Sequence, residues 1–114
     1  MTQTDITAER VAHNNVIFRD ANEQIGEAAQ RYVPDETVPF ICECPDTSCT
    51  VLLRLTLADY ESVRADATHF INAPGHDAAD EGWAHVIERR EGYDIVEKVG
   101  RAASIAEDLD PRSD

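Results

Sequence analysis

Three cysteines sit close together in this chain, Cys42, Cys44 and Cys49, in the segment Cys-Glu-Cys-Pro-Asp-Thr-Ser-Cys. That segment is polar and turn-rich, which is not where thiols acting as small core hydrophobes are expected. An odd, clustered count does not read as a secreted disulfide framework, which spreads an even number of cysteines along the chain. A bridge between Cys42 and Cys44, one residue apart, would be strained. Metal ligation fits better. Thiolates supply charge and softness, and a closed tetrahedral site takes three of them with an imidazole, or four. Only three cysteines exist, so the fourth donor must come from His13, His69, His76, His85 or a carboxylate.

The expected ligands are Cys42, Cys44, Cys49 and His76. His76 follows Pro74-Gly75, a rigid turn that can project a side chain from a loop end. His69 is the second choice, because it precedes an extended apolar pair and can point into a sheet instead. His85 alternates with Trp83 and Ile87 and reads as a half-buried strand residue. His13 lies on a helix with no ligand partner near it in sequence.

Zinc is the expected metal, since a structural ion adds stability to a small domain with a thin core. Iron is the alternative. Cys42-Glu43-Cys44-Pro45-Asp46-Thr47 resembles the opening of the mitoNEET-type pattern, whose three cysteines and one histidine hold a [2Fe–2S] cluster. In that family the third cysteine is followed directly by Asp-Gly-x-His. Here Cys49 is followed by Thr50-Val51-Leu52, so zinc is preferred over a cluster.

The chain has 114 residues, enough for one domain spanning 1–114. With 10 Lys and Arg against 23 Asp and Glu, its formal charge is −13, and direct nucleic-acid binding is not expected, because a polyanion needs counter-charge. No apolar run approaches a membrane span, and the first residues have neither the basic nor the apolar region of a signal peptide. A cytoplasmic location is the expectation.

An α+β fold should position the ligands: a long N-terminal helix, a small antiparallel sheet with a metal knuckle, and short helices. A helix over 7–32 is capped by Thr7, with Val11, Phe18, Ala21, Ile25, Ala28 and Tyr32 as its inward seam and Asn14 filling a missing seam position. Arg10, Asp20, Glu23, Glu27 and Gln30 are read as its solvent face, and Val33-Pro34 as its end. Residues 38–55 read as a hairpin-like unit with the thiols at its tip, similar to a zinc knuckle or rubredoxin-like turn. Its strands are 38–41, placed at a sheet edge by Pro39, and 51–55, around a Pro45-Asp46-Thr47-Ser48 turn.

Thr56-Leu57-Ala58-Asp59 fits a capping box opening a helix to about Ala65, and 67–71 looks extended. Residues 77–82 read as a small acidic loop. A β-hairpin over 83–98 turns at Gly92, with Trp83, His85 and Ile87 on one face. Gly100 breaks its second strand. A helix over 101–109 turns Ala102, Ile105, Ala106 and Leu109 inward, and 110–114 reads as a frayed tail.

Together, the N-terminal helix, Pro-Phe-x-Cys-x-Cys-x4-Cys at Pro39 to Cys49, Leu-Thr-x-x-x-Tyr-Glu-x-Val-Arg at Leu55 to Arg64, Phe70, Pro74-Gly75-His76 and Asp110-Pro111-Arg112 resemble an uncharacterised family of small actinobacterial proteins. The resemblance covers most of residues 8–112. It supports grouping Cys42, Cys44, Cys49 and His76 and implies no activity.

Three function classes follow. The preferred one is a non-catalytic, zinc-stabilised interaction or regulatory module, whose acidic surface steers toward a basic protein surface. The sequence leaves its oligomeric state open. The second is an iron–sulfur or thiol-based redox sensor, in which oxidation releases the metal. The third is a small zinc-dependent hydrolase with a metal-bound water and Glu43 as base. The chain has no Gly-rich phosphate loop, nucleophile elbow or His-Glu-x-x-His, which weighs against an enzyme.

Overall fold

A computed structural model describes residues 3–31, 36–46, 48–76 and 82–112. Its elements are α1 (Gln3–Ala29), β1 (Thr37–Ile41), β2 (Leu52–Thr56), α2 (Leu57–Arg64), β3 (His69–Asn72), β4 (Ala84–Arg90), β5 (Tyr93–Lys98) and α3 (Gly100–Asp108). The chain is α+β, as its patterning indicates, but the strands form two small antiparallel sheets rather than one. One is the β1–β2 hairpin, and the other has the order β3-β5-β4.

The hairpin places Phe40 opposite Leu53 and Val38 opposite Leu55. Phe40, Leu53 and Leu55 are buried, and Phe40 stacks on Tyr60 of α2 with ring centroids 4.3 Å apart. The Thr56 hydroxyl caps α2 by accepting from the Asp59 amide at 3.1 Å, as the capping-box pattern requires. In the other sheet β5 lies between two neighbours, so Tyr93, Ile95 and Val96 are all buried. The β4–β5 turn uses Gly92 at φ 88°, where a side chain would be strained. A register shift between Val86 and Glu88 leaves Ile87 exposed. Trp83 sits just before β4 and packs against Ala12, Ala102 and Ile105, so it does not share an outward face with His85 and Ile87.

Helix α1 departs most from its sequence reading. Its buried side is Ala12, Asn15, Val16, Arg19, Asn22, Gly26 and Ala29. The expected seam at Val11, Phe18, Ala21, Ile25 and Ala28 lies one residue away throughout, a rotation of about 100°. Those residues flank the interface, and Ala28 is exposed. The helix begins at Gln3, so Thr7 lies inside it rather than at its cap, while Tyr32, Val33 and Pro34, with residues 77–81 of the expected acidic loop, lie outside the described residues. The rotation has a physical cause: the helix contacts the rest of the protein through hydrogen bonds as much as through apolar packing. Arg19 donates to the carbonyls of Ala67 (2.7 Å) and Ala106 (2.9 Å) and lies over the Phe70 ring.

The end of the chain is also held. Arg64, with a fully buried side chain, pairs with Glu23 at 2.5 Å and Asp110 at 2.6 Å. Arg112 bonds both carboxylate oxygens of Glu61, at 2.7 and 2.9 Å, and reaches Glu23 at 3.0 Å. Residues 110–112 are therefore a latch over α1 and α2 rather than a frayed tail, and Glu23 is part of it rather than a free solvent residue. In α3, Ala102, Ile105 and Ala106 are buried as expected, whereas Leu109 is 40% exposed. Among the described residues, no helix is long and apolar enough to cross a membrane.

Candidate metal centre

Beyond β1 the chain runs through Cys42-Glu43-Cys44 with no strand partner of its own in the hairpin, yet all three residues are buried. Its backbone polar groups must be satisfied elsewhere. The Cys42 amide donates to the Val51 carbonyl at 3.1 Å, and the Glu43 amide to the Ile71 carbonyl at 2.8 Å. The Ile71 amide returns a bond to Glu43 Oε1 at 3.0 Å. This exchange ties the cysteine segment to β3 and so joins the two sheets.

Helix α1 holds the same segment from the other side. The Asn22 side chain accepts from the Ile41 amide (2.7 Å) and donates to the Ile41 carbonyl (2.8 Å) and to Glu43 Oε2 (2.7 Å). Asn15 donates to the Glu43 carbonyl at 2.6 Å, and Asn14 to the Pro45 carbonyl at 2.9 Å. From sequence, Asn14 fills a position in the helix seam, and Asn15 and Asn22 have no assigned role. Asparagine competes with the helix backbone for hydrogen bonds, so three of them inside a helix need a reason. Here the reason is a clamp on the cysteine segment.

The turn after Cys44 forms as its composition suggests. Asp46 Oδ1 accepts from the Ser48 amide (2.9 Å) and hydroxyl (2.6 Å), and the Cys49 amide donates to the Asp46 carbonyl (3.0 Å). Thr47 lies outside the described residues. On the facing side, Ala73 follows β3 and the Ala73–His76 turn closes with a 3.0 Å backbone bond across Gly75, whose φ is 85°. That turn swings the imidazole back onto the sulfurs.

Cys42, Cys44, Cys49 and His76 thus converge, with one donor atom from each lying within 4.8 Å of the others, and the group could hold a metal ion. His76 presents Nδ1, at 3.5 Å from Cys42 Sγ and 3.6 Å from Cys49 Sγ. Metal binding through Nδ1 leaves the ring proton on Nε2. Cys42 and Cys44 are buried, while Cys49 and His76 are half-buried and form the outer side. The Ala73 amide donates to Cys42 Sγ at 3.1 Å, a bond that would orient that sulfur and offset the charge of a thiolate on a bound metal.

Burial raises the pKa of Cys42, and burial followed by the neighbouring Cys42 thiol raises that of Cys44 to about 12. The pocket therefore disfavours bare thiolates, and a bound cation would supply the compensating charge.

Glu43 turns its carboxylate to α1 and β3. It is fully buried, with both carboxylate oxygens engaged by Asn22 and the Ile71 amide. Burial raises its pKa to about 7 against the opposing pull of the Asn22 and Ile71 bonds. The role of general base suggested by its place between two ligands has no geometric support. It is an anchor.

The other histidines lie elsewhere. His69 joins Asp66 and Glu97 on the three-stranded sheet. His85 is more exposed than its strand alternation implied and pairs with Glu97 at 3.6 Å. His13 is exposed on α1. No family model, curated protein or solved structure matches this chain.

Proposed function

We propose that this chain is a small acidic zinc-binding protein, a non-catalytic interaction or regulatory module whose metal is structural and whose partner is a basic protein surface. The convergence of Cys42, Cys44, Cys49 and His76 carries the reading. With about 2.3 Å to sulfur and 2.0–2.1 Å to nitrogen, a tetrahedral zinc ion sets a sulfur and a nitrogen ligand roughly 3.6 Å apart. The His76 Nδ1 contacts at 3.5 and 3.6 Å have that spacing. A two-iron cluster divides its ligands between two metal ions and needs a wider cage.

Four protein donors complete a tetrahedron and leave no position for a reactive water, which supports a structural rather than a hydrolytic ion. Held there, the ion would tie the end of β1, the turn before β2 and the turn after β3 into one unit. The charge of −13 supports long-range steering of a cationic partner. Grouping the chain with the small actinobacterial proteins belongs to this proposal.

Elemental analysis of protein purified without oxygen should find one zinc per chain and no visible absorption. Absorption bands near 400–500 nm, roughly where thiolate-bound iron absorbs, would replace zinc with an iron centre. A basic partner should be retained at low salt and released at high salt.

A further inference from the structure

Glu97 lies on the central strand β5, opposite His69 of β3 on one side and His85 of β4 on the other. Directly paired residues share a sheet face, so the three side chains form a row across all three strands. His69 Nε2 is 3.1 Å from Glu97 Oε2, and His85 Nε2 is 3.6 Å from Glu97 Oε1. A second carboxylate joins from the loop before β3, with Asp66 Oδ2 3.6 Å from the same His69 nitrogen.

Asp66 is fixed in that orientation. Its Oδ1 accepts from the Thr68 amide (2.9 Å) and the Thr68 hydroxyl (2.8 Å), and its carbonyl accepts from the His69 amide (3.1 Å). The free oxygen, Oδ2, is the one turned to His69.

We propose that this face carries a second, exchangeable site for a divalent transition-metal ion, with His69, Glu97 and Asp66 as ligands and His85 at its margin. Donor atoms of the first three lie within 4.8 Å of one another. One imidazole N–H cannot serve two carboxylates, and the 3.6 Å separation from Asp66 is too long for a hydrogen bond. Two anionic groups converging on one nitrogen leave a place where a cation relieves their repulsion.

Imidazole with carboxylate is a borderline donor set suited to zinc, nickel or copper rather than calcium. The site is half-exposed, with side-chain exposures of 21% for His69, 37% for Glu97 and 51% for Asp66, so water completes the coordination and the ion exchanges freely. A plain surface ion pair is the competing account, worth about 0–1 kcal/mol and indifferent to metal.

The test titrates zinc into protein already given one equivalent and desalted, by calorimetry, with the histidine ring signals followed by NMR. One further ion should bind, shifting His69 and His85 while leaving His13 unmoved. His69→Ala and Glu97→Gln should each weaken that step about tenfold or more and leave unfolding in chelator unchanged. Cys44→Ser should leave the His69 shift intact, which separates this site from the sulfur centre whether or not that centre keeps its ion. Absence of further uptake, or uptake untouched by both variants, overturns the proposal.

Discussion

The sulfur cluster and the imidazole–carboxylate row are built in opposite ways. Donors of the first come from three separate stretches of chain, and the backbone between them is clamped by α1 and β3. Donors of the second come mostly from strand register, which needs no special backbone once the sheet exists. The first is buried on one side and the second half-exposed. Losing the first should therefore cost folding stability, and losing the second only the ligand.

Metal removal breaks this contrast hardest. A ligand that binds only the folded state stabilises by about 4 kcal/mol when its free concentration is a thousandfold above Kd. Chelation should remove a stabilisation of up to that order and lower the melting temperature accordingly. Cys44→Ser should lower metal content and melting temperature together, and His76→Ala should do so less, because water can take the vacated position. If Cys44→Ser keeps both metal and stability, Cys44 is no ligand.

The clamp comes next. Asn22→Ala strips partners from the Ile41 amide, the Ile41 carbonyl and Glu43 at once. Each buried group left unsatisfied costs about 1–3 kcal/mol, so roughly 3 kcal/mol is expected in denaturant titration after partial relaxation. Glu43→Gln sharpens the point. It keeps the size but turns an amide N–H toward the Asn22 donor or the Ile71 amide, and should cost about 1–3 kcal/mol. A neutral result for both would mean that the hydrophobic core alone places the cysteines.

The asparagines also explain what was readable in the sequence. Strands, turns and the cap of α2 came through because their signals are local: Thr56 at a helix start and Gly92 at a hairpin tip. The thiols and Pro74-Gly75-His76 came through because few other roles suit such residues in polar turns. The inward face of α1 did not, since burial of Asn15, Arg19 and Asn22 depends on backbone acceptors far along the chain. The same holds for Arg64, Asp110 and Arg112, which look like solvent residues until the fold brings them together. Periodicity weighs apolar residues, and this helix is positioned largely by polar ones.

A smaller effect should appear in acid. In Glu23 and Asp110 burial alone would raise the pKa, but bonds from Arg64 and Arg112 outweigh it and hold both below their ordinary values of 4.5 and 3.8. A carboxylate with a depressed folded-state pKa stabilises above the unfolded value and loses that contribution as pH falls through the folded one. The latch should therefore weaken progressively below about pH 4.5. Asp110→Asn should destabilise the protein at neutral pH, since it discharges one partner of a buried Arg64, and should flatten the acid limb of the stability curve. An unchanged limb would assign the acid response to other carboxylates.

The smallest stability effect belongs to the sheet row. His69 is partly exposed and pairs with carboxylates that water can solvate, so His69→Ala should shift folding stability by no more than about 0.5 kcal/mol. Measured in chelator, that near-silence contrasts with Asn22→Ala, although both residues bond across distant parts of the chain. Asn22 is fully buried and satisfies the part-buried Ile41 backbone and the buried Glu43 carboxylate, whereas His69 faces carboxylates that keep their access to water. Should His69→Ala destabilise the apoprotein by several kcal/mol, the row would be part of the sheet's own architecture, and the division between a centre that holds the fold and a face that only binds would fail.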